Sequence, residues 1–172
     1  MTRLIRLLLT LAGIVAGSLL IAAPAVAGEP ATISGVTLGY LPSGLGDASD
    51  FTYEYDDVGI VSRVWESGSD ATGWRVDLDV AVMRGARLSD AAALRDWFAA
   101  YEDRPVDEAR YVPTEVRGQP GWLARDQVFW LVRPGLAASV RLDAARWPTV
   151  EALRVAAAAR PARCDPEMTC RG

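Results

Sequence analysis

An α+β fold, a curved antiparallel sheet of about seven strands with two helices packed on one face, is what the sequence predicts, and three observations predict it. Short runs alternate apolar and polar residues with period two, the mark of half-buried strands. Turn residues rather than crossover helices join those runs, which favours antiparallel pairing. Two other segments place their apolar residues three and four apart, as amphipathic helices do.

The elements follow in chain order. A strand ends near Tyr40, and the turn formers of Leu41 to Gly44 and Gly46 to Asp50 make a loop after it. Phe51 to Tyr55 alternates aromatic with polar, and Asp56-Asp57 opens a turn into the strand Val58 to Glu66. The clearest strand is GWRVDLDVAVMR, residues 73–84. Trp74, Val76, Leu78, Val80 and Val82 point to a buried face, while Arg75, Asp77, Asp79, Ala81 and Met83 point to a mostly wet one. It is long for a strand, so a bend or bulge is expected near its end.

The period then changes. Ser89 suits an N-cap, Asp90 suits the positive end of a helix, and Leu94, Trp97, Phe98 and Tyr101 form a stripe that ends before Pro105. Four strand-like runs follow, near Arg110 to Val116, Trp122 to Arg125, Gln127 to Arg133 and Leu136 to Asp143, with Arg133-Pro134-Gly135 as a hairpin turn. A second helix starts near Pro148, presents Val150, Leu153 and Ala157, and runs to Arg160 before Pro161 stops it. From Phe51 onward the order is β-β-β-α-β-β-β-β-α.

One run is apolar on both sides. In Gln127 to Arg133, Val128, Trp130 and Val132 face one way and Phe129 and Leu131 the other. Such a strand belongs in the middle of a sheet that is covered on both faces. With both helices on one face, the other must be closed by sheet curvature, by the N-terminal loop or by something bound. The rings are therefore either core or the lining of a sheet-helix cleft, and the candidate ligand-binding residues are Trp97, Phe98, Tyr101, Phe129 and Trp130.

Three segments organise the chain: a secretion signal at 1–27, a single α+β domain at 28–163, and a tail at 164–172. Arg3 and Arg6, the apolar run Leu7 to Ala23 and the small residues Ala25-Val26-Ala27 have the three parts of a signal, with cleavage expected after Ala27. The apolar run is also at the lower limit for an uncleaved anchor, which would be the protein's one link to a membrane. The expected location is secreted or in the extracytoplasmic cell envelope. There a disulfide between Cys164 and Cys170 is the default, since their spacing is not C-x-x-C and no histidine completes a metal set.

Charge and missing residue types exclude much of chemistry. Formal net charge is −4, and losing Arg3 and Arg6 with the signal would take it to −6, so nucleic acid is not an expected partner. The chain has no histidine and no lysine. Imidazole-based hydrolysis, Ser-Lys dyads, Schiff bases and P-loops are all ruled out. Asp77 and Asp79, two apart on one strand, have a separation compatible with a glycosidase pair. Their expected exposed setting beside Arg75 would keep both ionised and leave no general acid. Asp47, Asp50, Glu54, Asp56 and Asp57 could offer oxygens to calcium but lack the D-x-D-x-D-G loop. No metal, no cofactor and no catalytic residue is expected.

The segments YLPSGL (40–45), VRGQPGWLARDQVFWLVRPGLAASVRL (116–142) and WPTVEALRVAAAARP (147–161) together resemble uncharacterised extracytoplasmic α+β domains of bacteria. Those are similar in outline to lipoprotein-carrier-like domains and to sensor domains appended to anti-sigma factors. The resemblance spans Tyr40 to Pro161 and implies a binding or sensing module, although no cytoplasmic domain precedes the apolar segment here. The expected function is a noncatalytic exported domain that binds an apolar or envelope-derived ligand or an envelope protein. The alternatives are a structural secreted protein with a closed core and only protein partners, and an enzyme using the Asp pair.

Overall fold

The computed structural model describes residues 31–103 and 110–162. The secretion signal and the Cys164–Cys170 pairing lie outside the described residues. Within them the chain forms an α+β structure with a seven-stranded antiparallel sheet, a small three-stranded sheet and two helices. The large sheet contains β3 (Asp47–Tyr55), β4 (Val58–Ser69), β5 (Gly73–Arg84), β6 (Val112–Val116), β7 (Gln119–Leu123), β8 (Gln127–Arg133) and β9 (Leu136–Leu142). Helix α1 (Ala91–Tyr101) joins β5 to β6, and α2 (Thr149–Ala158) follows β9. The expected order of strands and helices holds for this sheet.

The strand order, β3-β4-β5-β9-β8-β7-β6, is two meanders placed side by side so that β5 pairs with β9. Sequential hairpins build each meander, and the β8–β9 turn has Pro134 followed by Gly135 at φ 78°, a conformation that costs glycine little. β3 begins four residues before the alternating stretch Phe51 to Tyr55, and the reason is pairing. Asp47 to Asp50 are turn formers by composition, but they lie opposite Glu66 to Arg63 of β4. Asp50 also accepts from Arg63 Nε at 2.6 Å. Ladder bonds and an ion pair outweigh the weak local preference for a loop.

The small sheet was expected only in part: the strand expected to end near Tyr40 matches its Val36–Leu38 strand, while its other two strands have no counterpart in the period-based reading. Its strands β1 (Ala31–Ile33), β2 (Val36–Leu38) and β10 (Ala159–Pro161) are only three residues each, too short to show alternation. Ser34 and Gly35 turn the β1–β2 hairpin at positive φ, and Arg84 donates to the Ser34 carbonyl. β10 also corrects the end of the second helix. α2 stops at Ala158, and Ala159 to Pro161 extend to pair with Leu38 to Val36. At the helix starts, Asp90 rather than Ser89 is the N-cap of α1, accepting from Ala92 and Ala93 N–H, while Pro148 is the N-cap of α2.

The two helices do not share a face. Val80, Val82, Val128, Trp130, Ala138 and Val140 pack with Ala152, Val155 and Ala156 of α2 and with the small sheet. Ile60, Met83, Phe129, Leu131 and Ala137 pack with Leu94, Trp97 and Phe98 of α1. The expectation of both helices on one side is therefore corrected. The physical reason is β8 itself, which is apolar on both faces and needs cover on both. No helix among the described residues is long and apolar enough to cross a membrane.

Candidate functional site

Four of the five candidate ligand-binding residues collect under α1, and the fifth does not. Trp97, Phe98 and Tyr101 descend from the helix onto the sheet, where Phe98 stacks on Phe129 at a centroid distance of 4.1 Å. Trp97 stacks on Tyr101 at 5.4 Å, and Tyr55 packs edge-on against both. Phe98 is 3% exposed and Phe129 not at all, so this stacked pair belongs to the core, while Tyr55 and Tyr101 reach the surface. Tyr53 and Tyr101 tie β3 to the helix through their hydroxyls at 2.8 Å, and Tyr55 OH donates to the Ala100 carbonyl at 3.2 Å.

A polar cluster sits where this aromatic layer ends. Gln127 Nε2 donates to Glu102 at 2.7 Å, Arg141 Nε donates to Gln127 at 3.0 Å, and Arg141 also pairs with Glu102. Asp79 lies beside them, with Tyr53, Met83, Phe98 and Tyr101 around a cavity of about 40 Å³. Burial pushes the Asp79 carboxyl up and nearby Arg141 only partly opposes it. Its Oδ1 is buried and has no hydrogen-bond partner among the described residues. Burial also raises the Tyr53 phenol, and the bond to Tyr101 raises it further. The space suits about one water molecule, not a substrate.

Asp77 and Asp79 are not the exposed pair expected from alternation. In the pairing of β4 with β5, Trp65 meets Leu78 while Glu66 meets Val76, so Asp77 is an extra residue in a β-bulge. The bulge turns Asp77 inward on the α2 side of the sheet, and Trp74 and Val76, expected in the core, are exposed instead. Asp77 is completely buried. It accepts from Gly46 N–H at 3.0 Å and from Ser67 Oγ at 2.9 Å, and it pairs with Arg146. Burial alone would raise its pKa; the bonds from Arg146, Ser67 and Gly46 together hold it below the usual carboxylate range. The carboxylates therefore face opposite sides of the sheet, one bound in an ion pair and one at a water-sized cavity, a geometry unlike the facing pair that glycoside hydrolysis needs. The other acidic cluster is spread along β3 and its turn, where Asp50 answers Arg63 and Asp56 and Asp57 both reach Arg87. Among the described residues no three acidic side chains converge as a metal site would require.

Trp130 faces the other way and lines a groove of about 220 Å³ on the α2 side. Val36 of β2, Val116, Val132 and Ala159 complete its apolar floor, and Arg117, Gln119 and Arg160 stand at the rim. The groove lies between β10 and the β6–β8 end of the large sheet. Arg117 occupies the β6–β7 turn at φ 55°, next to Gly118, and its Nη1 donates to the Ala157 carbonyl at 3.4 Å. Local sequence carries no signal for this groove except the apolar Trp130. Its walls come from residues 36, 116, 117, 119, 130, 132 and 159–161, and only the pairing of β10 with β2 brings the first and last together. Comparison with family models, with curated proteins and with solved structures returns no match.

Proposed function

We propose that the protein is a noncatalytic, exported binding module that takes an apolar ligand in the groove beside Trp130. The observation that carries this reading is an open concavity with a floor of valine, alanine and indole and the polar side chains of Arg117, Gln119 and Arg160 at its margin, apolar surface beside convergent polar groups as in a small ligand site. The aromatic residues under α1 have a different role in it: they form the rigid layer that fixes β8, and thereby Trp130, from behind.

The test is titration of the intact protein with 1-octanol, followed by amide chemical shifts. Saturable shifts confined to β2, β8 and β10, lost on Val132→Gln, are expected. Val132 is half-buried at the groove, so this change adds a polar group there without hollowing the core. Absence of saturable shifts, or shifts unaffected by Val132→Gln, would overturn the assignment. A second reading, a closed protein whose partners are other proteins, draws on β3. This nine-residue strand is exposed throughout at the sheet edge and carries Phe51, Tyr53 and Tyr55 on one side. Protection of β3 amides from exchange in the presence of an envelope extract, with no uptake of octanol, would favour it.

A further inference from the structure

We infer that the ligand is an amphipathic monoanion, a medium-chain carboxylate whose charged end sits between Arg117 and Arg160 with its chain along Val36, Trp130 and Val132; this rests on the binding-module reading above. The rim supplies the argument. The protein is acidic as a whole, yet the ionisable residues that line this groove are two arginines, with no carboxylate among them. Neither arginine takes part in an ion pair among the described residues, in contrast to Arg63, Arg146 and Arg154, which each face a carboxylate. Arg117 has only the Ala157 carbonyl, at 3.4 Å.

Two guanidinium groups with unused donors beside an apolar floor match a planar carboxylate, which accepts their parallel N–H groups. An uncharged apolar molecule would leave the rim with nothing to do. The size of the groove sets the chain. A groove of about 220 Å³ has room for a short hydrocarbon chain but not for a long acyl tail, with the carboxylate at the mouth.

The experiment compares octanoate with 1-octanol on the intact protein at pH 7 and low ionic strength, by calorimetry or amide shifts. Octanoate is expected to bind about tenfold more tightly, with an advantage that shrinks as salt is added. The variant Arg117→Gln/Arg160→Gln changes exposed side chains and removes only the long 3.4 Å bond from Arg117 to the Ala157 carbonyl, so its melting curve should stay close to that of the parent. It should bind octanoate no better than octanol. Equal affinity of the parent for the two probes, or an octanoate advantage that survives the double substitution, would overturn the anionic ligand while leaving the apolar groove intact. Failure of both probes to bind saturably would overturn both.

Discussion

Replacing Asp77 with Asn removes one negative charge from the β5 bulge at almost constant volume, and the structure sets the size of the loss. The carboxylate is fully buried and accepts from Gly46, Ser67 and Arg146, with Arg75 Nε a further 3.7 Å away. An Asn amide can keep one acceptor oxygen but turns two donor hydrogens toward groups that are themselves donors. Removing one partner of a buried pair costs about 3–5 kcal/mol when both partners are dry. Arg146 is 30% exposed, and water can take over part of its solvation. The expected loss is therefore about 2–3 kcal/mol, or roughly 8–12 °C in Tm for a domain of this size. The pH dependence has a definite sign. The folded-state pKa of Asp77 lies below its unfolded value, so its stabilisation is complete above the ordinary aspartate pKa and fades as pH falls through the depressed one. Thermal melts followed by circular dichroism at pH 7 and at stepwise lower pH check both points. A loss under about 1 kcal/mol, or a gap between Asp77→Asn and parent that stays constant into strong acid, would refute the reasoning.

The other carboxylate should behave oppositely. Asp79→Asn is expected to raise Tm at pH 7, because it removes a charge that burial disfavours, and the gain should vanish as pH falls to where the parent carboxyl is protonated in both folded and unfolded chains; melts of the variant against parent at pH 7 and pH 3 read it. Phe98→Ala should destabilise by about 3–5 kcal/mol in chemical denaturation, since it empties the space under α1 against Phe129. A loss below about 1 kcal/mol would mean that the rings line a cleft that solvent already reaches. Gly121→Ala should prevent or distort pairing of β7 with β8, because its new Cβ would stand 2.7 Å from both the Phe129 carbonyl and Trp130 Cβ. Soluble expression and the dispersion of indole N–H signals would report it.

The large sheet was legible because its strands are long enough to show period two and are separated by strong turn formers such as Asp56-Asp57 and Pro134-Gly135. Helix α1 was legible from the stripe of Leu94, Trp97, Phe98 and Tyr101. Three features were hidden, each for a physical reason. The bulge at Asp77 reverses the facing of Trp74 and Val76, and strict alternation cannot register one extra residue in a long strand. A bend or bulge was expected near the end of that strand from its length; the bulge lies instead at Asp77, nearer the start. The placement of helices on opposite faces was written in β8, whose two apolar sides demanded two covers, yet periodicity within one element does not say which neighbour supplies them. The candidate site divided for the same reason: Phe129 and Trp130 are consecutive in a strand and so must point to opposite faces. Only Trp130 reached the groove, and its companions Val36, Val132, Arg117 and Arg160 are ordinary in isolation.

Helix composition explains why the groove opens on the side it does. α1 presents indole, phenyl and phenol groups, which reach across the sheet and, with Tyr55 of β3, cover most of their face. α2 buries Ala152, Val155 and Ala156, so it lies close to β8 and β9 but covers a narrow strip. The rest of that face is closed by β1, β2 and β10, which are only three residues long. Between the short edge of β10 and the β6–β8 end of the sheet the cover runs out, and Trp130 forms part of the floor there while remaining 4% exposed. A ligand that enters this gap meets side chains already held by the stacked rings behind β8, so little ordering is needed on binding. It also follows that enlarging the cover should abolish uptake without disturbing the fold. Ala159→Leu, which adds bulk at a buried β10 position lining the groove, should lose octanoate binding while the chain still melts cooperatively, at a somewhat lower Tm; retained binding would move the ligand away from Trp130.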